Sequence, residues 1–280
     1  MNVSLKNAIK NFTLFSTALF STLAIAQSKL AIVIDDVGYH PKEDAAIFSM
    51  PREISVAIIP VAPYAKARNQ EAKNQGRDIL IHMPMQPIGQ TKIEEGGLHL
   101  GMSAEQVIQR VQAAKNIVNY AIGMNNHMGS AATADSTLMR HLMSALHEQR
   151  LFFLDSRTIG RSVAGKIAKE QGVRSLDRHI FLDDSNEFSD VQRQFQAAIQ
   201  YARKHGTAIA IGHPRKNTVA VLKQGLQHLP SDIQLVGMGS LWRNERIVPP
   251  KPFILLFNDI PAPTSTTPYE PVPLLRGVPK

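Results

Sequence analysis

The chain has no cysteine among its 280 residues. That absence excludes a disulfide framework, a thiolate metal site, an iron–sulfur cluster and a cysteine nucleophile together. It leaves the redox compartment open. Large aromatics are scarce, with one Trp and five Tyr, and Lys and Arg form no block. Basic stripes and stacking platforms are therefore missing, and no nucleic-acid partner is expected. A mild basic excess suits an anionic envelope polymer. No segment beyond the N-terminus could span a bilayer.

Residues 1–26 hold Lys6 and Lys10 and no acid. Phe12 to Ala26 is apolar, broken by Ser16, Thr17, Ser21 and Thr22, and ends Ala24-Ile25-Ala26. A basic start, an apolar middle and an A-x-A end describe a signal peptide. We expect cleavage after Ala26, export to the periplasm or otherwise out of the cytoplasm, and no stable membrane span afterwards. An uncleaved anchor is the alternative. The formal charge then falls from +8 to +6 as the two lysines leave. At the other end, nine of the seventeen prolines lie in 249–280. Residues 244–280 read as a Pro-rich extension, and 27–243 as the folded domain.

Within that domain two patterns alternate. Short, nearly continuous apolar runs occur at Leu30–Ile34, Ile54–Ile59, Ile79–Ile81, Tyr120–Ile122, Leu151–Leu154, Ile180–Leu182, Thr207–Ile211 and Ile233–Val236. Such runs predict strands covered on both faces. Between them, helices are predicted at 64–75, 135–149, 161–171 and 216–226. Two more follow capping-box sequences beginning at Ser103 and Ser189. Strand–helix alternation means a parallel α/β sheet. Seven or eight strands favour a closed or nearly closed barrel, with a doubly wound sheet as the alternative.

Parallel α/β folds collect chemistry beyond the carboxyl ends of their strands. Five predicted strand exits here deliver Asp35-Asp36, His82, Asn125-Asn126-His127, Asp155 and Gly212-His213. Each has an ordinary structural use, as a turn former, a helix cap, an ion pair or a buried histidine. Five on one rim are hard to collect by chance. Two imidazoles and a carboxylate with positions left open make a hydrolytic metal site. A second carboxylate can take a proton from water, and a further His can protonate a leaving group. Adjacent residues of a strand point in different directions, so one Asp of the pair would face a metal and the other the substrate.

The ordered series Ile34-Asp35-Asp36-Val-Gly38, Ile81-His82-Met-Pro84, Asn125-Asn126-His127-Met-Gly129-Ser130, Phe153-Leu-Asp155-Ser156, Phe181-Leu-Asp183-Asp184 and Ile211-Gly212-His213-Pro214 resembles the divergent polysaccharide deacetylase family. That family is a remote branch of the NodB-type, or carbohydrate esterase family 4, deacetylases. The resemblance covers about residues 29–243. It implies a distorted seven- or eight-stranded (β/α) barrel and metal-dependent removal of N-acetyl groups from an amino-sugar polymer. It makes Asp35 the general base, Asp36 and His82 metal ligands, and His213 the acid. The family's second metal His falls at Gln86 here, so His127 is expected to replace it. The Arg-x-Pro-Tyr motif, whose backbone helps hold the oxyanion, is missing. Asp155 is assigned to orienting His213 or lining the site. The expected cofactor is a divalent metal, most plausibly zinc. The expected partner is an acetylated polysaccharide or peptidoglycan-like substrate of the cell envelope. The rival reading is an envelope carbohydrate-binding or scaffolding protein that keeps the metal rim without turnover.

Overall fold

The computed structural model describes residues 27–244 and a short backbone pairing near the C-terminus. The proposed signal peptide and most of the Pro-rich extension lie outside the described residues. The chain divides into a unit ending at Glu245 and a second beginning at Arg246. Within the second, Ser265–Thr266 pairs antiparallel with Glu270–Pro271. No helix among the described residues is long and apolar enough to cross a membrane.

The first unit is built on parallel strands: β1 (Ser28–Val37), β2 (Ser55–Ile58), β3 (Ile79–Met85), β4 (Gly123–Met128), β5 (Phe152–Asp155), β6 (Ser175–Asp177), β7 (Ile180–Phe181), β8 (Thr207–Gly212) and β9 (Ile233–Leu235). Eight follow the order β6-β5-β4-β3-β2-β1-β8-β7, and β9 pairs with the start of β1. Chain continuity dictates the curl. The two ends of this path, β6 and β7, are separated in sequence only by Arg178 and His179, which span at most about 11 Å. Arg178 donates its backbone N–H to Asp155 on one side, and His179 donates to Ile209 on the other. The sheet must therefore wrap into an incomplete (β/α) barrel, with helices between the strands.

Strand side chains alternate between two faces. Ile32, Ile34, Ile81 and Met83 join one large buried cluster with helix residues such as Val107, Leu142 and Phe195. Ala31, Val33, Leu80 and Ile209 are equally buried and fill the inside of the curl. Double coverage is why the strands read as continuous apolar runs. The helices follow the amphipathic stretches: α1 (Pro41–Phe48), α2 (Ala65–Asn74), α3 (Ala104–Ile117), α4 (Ser136–Glu148), α5 (Ala164–Glu170), α6 (Phe188–His205), α7 (Lys216–Gln227) and α8 (Met238–Arg243). The Ser103 capping box forms at α3, with both reciprocal hydrogen bonds. The one expected at Ser189 does not. There α6 starts two residues earlier, behind Glu187, without a side-chain cap.

Helix α8, unforeseen from the sequence, closes the amino-terminal end of the barrel. Trp242 is fully buried and stacks on Phe152 at 5.2 Å. A Cβ at Gly123 would come within 2.7 Å of the Trp242 ring, so only glycine admits the indole there. Gly239 donates its N–H to Asp78, the residue just before β3. With one mouth plugged, the carboxyl-terminal mouth is left for chemistry.

Candidate metal centre and active site

Asp35 and Asp36 lie inside β1 rather than beyond it. A strict alternation would send them to opposite faces. Between Ile34 and Val37, however, β1 spends one more residue than its partner β2, and Asp36 takes a left-handed φ of 55°. This bulge re-aims the side chain, and Asp is among the residues that tolerate such a backbone best. Both carboxylates therefore reach the same imidazole. His82 Nε2 stands 3.5 Å from Asp35 Oδ2 and 3.3 Å from Asp36 Oδ1. The expectation of divergent directions is corrected on this point. Gly38 follows with φ 114°, and a Cβ there would lie 2.8 Å from that of Ala62, so the turn out of the bulge requires glycine.

The second correction concerns β4. The apolar run Tyr120–Ile122 leads into the strand, whose body is the polar Gly123–Met128. Asn125 and His127 are thus strand residues. The β3–β4 register sets His82 opposite Asn125 and Pro84 opposite His127. Two alternate positions of each strand therefore face the same space.

Asn125 ties the cluster together. It is fully buried, and its amide N–H groups go to Asp35 Oδ1 at 2.8 Å and Ser156 Oγ at 3.2 Å. Its carbonyl oxygen then accepts from His82 Nδ1 at 2.9 Å. That assignment puts a proton on Nδ1 and turns the Nε2 lone pair of neutral His82 toward the carboxylates.

Three atoms converge there. Asp36 Oδ1 is 3.0 Å from His127 Nδ1, and His127 Nδ1 is 3.1 Å from His82 Nε2. With the 3.3 Å edge from His82 to Asp36, they form a nearly equilateral triangle. Ligands sharing an ion at bonds of about 2.0–2.2 Å stand about 3.0–3.5 Å apart. Asp36 Oδ1 is also buried without a directed hydrogen bond. Donor types, spacing and the orphaned oxygen all fit a divalent cation, and Asp36, His82 and His127 form a possible three-residue metal site.

Charge sets the protonation states. Burial raises Asp35 above the ordinary carboxylate value, against the opposing pull of His82 and His213. Burial would also raise Asp36, but the imidazoles of His127 and His82 packed against it hold it far below. Burial would lower His82, yet the charges of Asp35 and Asp36 push it up to about 9. Without a cation, the cluster therefore carries an extra proton.

His213 follows β8 and points Nε2 at Asp36 Oδ2, 3.8 Å away. Its Nδ1 donates to Asp183 Oδ1 at 2.9 Å. Asp183, fully buried, also accepts from the His213 backbone N–H at 2.7 Å and from Thr218 Oγ1 at 2.6 Å. Burial would lower His213, but Asp183 raises it. The same contacts hold Asp183 below its usual value although burial opposes them.

Asp155 does not orient His213, and that assignment is corrected. Its carboxylate accepts from the Arg157 backbone N–H at 2.8 Å and Ser162 Oγ at 2.6 Å. It braces a turn in which Arg157 has φ 52°, and that turn carries Ser156 to Asn125. Gln86, at the place of the family's second metal His, instead accepts from the Leu100 backbone N–H at 3.0 Å and anchors a loop.

The sequence profile of the divergent polysaccharide deacetylases matches residues 32–242, which contain every residue of this cluster. The chain belongs to the divergent polysaccharide deacetylase family. It is 78% identical over 280 residues to an uncharacterized protein of Haemophilus influenzae, covering all of both chains. A crystal structure of an uncharacterized Agrobacterium tumefaciens protein aligns with a TM-score of 0.73 at 22% identity, covering 78% of this chain and 90% of that one. A deacetylase solved with its substrate aligns at 0.51 and 13% identity, over 80% of this chain and 94% of the other. At these identities the structural matches speak to the fold, the (β/α) barrel of the deacetylase type.

Sequence reasoning missed three residues of this deacetylase-family site. Asp183 and Asn125 stood in quoted motifs without a role. Glu94 escapes that reasoning, because a polar loop with two adjacent glutamates offers no periodic signal.

Proposed function

We propose that this member of the deacetylase family is an exported, metal-dependent N-deacetylase acting on an acetylated amino-sugar polymer of the cell envelope. The observation that carries the reading is the triangle of Asp36, His82 and His127, with Asp35 and His213 on its margins. Two imidazoles and one carboxylate suit zinc. A divalent ion held there would lower the pKa of a water and polarise an acetamide oxygen. Asp35, whose affinity for a proton burial raises, accepts the proton of the attacking water. Asn125 fixes the Asp35 carboxylate through the 2.8 Å hydrogen bond to its Oδ1. His213, whose hold on a proton Asp183 strengthens, donates to the departing amine.

A basic, then apolar N-terminus ending Ala24-Ile25-Ala26 supports export. The test is acetate release from acetylated chitooligosaccharides or peptidoglycan fragments by the zinc-loaded protein. We expect acetate and free amine in equal amounts, abolished in Asp35→Asn without loss of zinc. A folded, zinc-loaded protein that releases no acetate would move the reading to a carbohydrate-binding or scaffolding role. The missing Arg-x-Pro-Tyr motif is the feature that favours this rival.

A further inference from the structure

The loop between β3 and α3 carries Glu94 to the far edge of the His127 ring. Nδ1 of His127 faces Asp36 and His82, while Nε2 lies 3.5 Å from Glu94 Oε1. The other carboxylate oxygen, Oε2, is buried without a hydrogen-bond partner. The loop is built to hold this residue in place. Leu98 donates its N–H to Pro84 at 2.8 Å, and Gln86 donates to Leu98 at 2.9 Å. Gly97 donates back to Glu94 O at 3.3 Å, closing a turn through Gly96 at φ 83°. A Cβ on Gly97 would strike the Ile93 side chain and stand 3.0 Å from Pro84 O. Two glycines are thus required to set Glu94 over the exit of β3 and β4.

We infer that Glu94 is a positioning residue that accepts the Nε2 proton of His127 and so turns Nδ1 toward the metal centre. The inference rests on the metal reading of the site. A neutral imidazole has one proton for two nitrogens; with Nδ1 given to a cation beside Asp36, the proton belongs on Nε2, where Glu94 is the carboxylate in reach. The same partner resists rotation of the ring. Carboxylates behind ligating histidines contribute about 10- to 100-fold in metal affinity. His82 receives the equivalent support from Asn125, a neutral amide. The two imidazoles are therefore braced by groups of different charge.

The experiment compares Glu94→Ala and Glu94→Gln with the unaltered full-length chain. Zinc affinity is measured by competition with a chromophoric chelator. The exchange rate of the His127 Nε2 proton is followed by NMR. We expect Glu94→Ala to weaken zinc binding about 10- to 100-fold and to speed exchange of that proton. Glu94→Gln keeps an acceptor oxygen and should stay within a few-fold of the parent. Unchanged affinity and exchange in Glu94→Ala would overturn the inference. So would loss of zinc in both variants as complete as in His127→Ala, since Glu94 would then be a ligand. If the unaltered chain binds no zinc, the metal reading fails, while proton exchange still decides whether Glu94 holds the ring.

Discussion

Replacing Asp183 with Asn would test whether His213 is held as an acid. The side chain keeps its shape and loses its charge. Its remaining oxygen can accept from the His213 backbone N–H and Thr218, now 2.7 and 2.6 Å from Oδ2. The new amide nitrogen then faces His213 Nδ1, where Oδ1 stands at 2.9 Å, and can donate but not accept. The charged imidazolium thus loses a charge-assisted hydrogen bond worth about 1.5–3 kcal/mol. At 1.36 kcal/mol per pH unit, that is about a 10- to 150-fold drop in proton affinity. A titration of the His213 ring by NMR, assigned against His213→Ala, reads it without recourse to activity. In the deacetylase assay, the alkaline limb of the rate profile should move to lower pH by the same factor. Stability follows the same pair. His213 is raised, so its contribution is full below about 6.5 and fades as pH climbs through its folded value. Asp183 is lowered, so its contribution is full above about 3.9 and fades as pH falls through its folded value. Urea unfolding of D183N should show its deficit in the window between, shrinking toward both acid and alkaline extremes. A His213 titration unchanged by the substitution would refute this account of the dyad.

Other outcomes follow from the same geometry. Asn125→Ala removes the partner of both His82 and Asp35 and should weaken zinc binding about 10- to 100-fold by chelator competition. His82→Ala should lose zinc and activity together, whereas His213→Ala should keep zinc and lose activity, as metal analysis beside acetate release will show. Because His82 is pushed up to about 9 in the metal-free protein, zinc must displace its proton. Affinity should rise about tenfold per pH unit from near neutrality to about 9 and then flatten, and calorimetry in two buffers at pH 7 should detect about one proton released. Gly123→Ala drives a methyl into the Trp242 ring, 2.7 Å away. It should cost about 1–3 kcal/mol in urea unfolding while leaving zinc affinity unchanged.

The residues differ in how openly they declare themselves. Strands β1, β2, β3, β5 and β8 read from their apolar runs because both faces are covered. Strand β4 did not, since its body is Asn-Asn-His and owes its extended form to pairing with β3 rather than to its own composition. The two short strands at the gap behaved differently. β7 has an apolar stretch, but β6 holds three residues, Ser-Leu-Asp, with nothing to distinguish them. At the site, the polar groups at strand ends were legible as a set. Their pairings were not: Asp155 and Asp183 both follow an apolar run ending in Leu, and only the curl of the sheet puts Asp183 beside His213. The bulge at Asp36 is invisible in sequence because it arises from register with β2. Helix α8 escaped for a different reason, being six residues long and defined by what Trp242 fills rather than by periodicity.

Crystals of the full-length protein grown with zinc, measured at the zinc absorption edge, address the central claim most directly. The account predicts one anomalous peak at bonding distance, about 2.0–2.2 Å, from Asp36 Oδ1, His82 Nε2 and His127 Nδ1. A zinc ion found only elsewhere, or these three side chains left without one at saturating zinc, would contradict it.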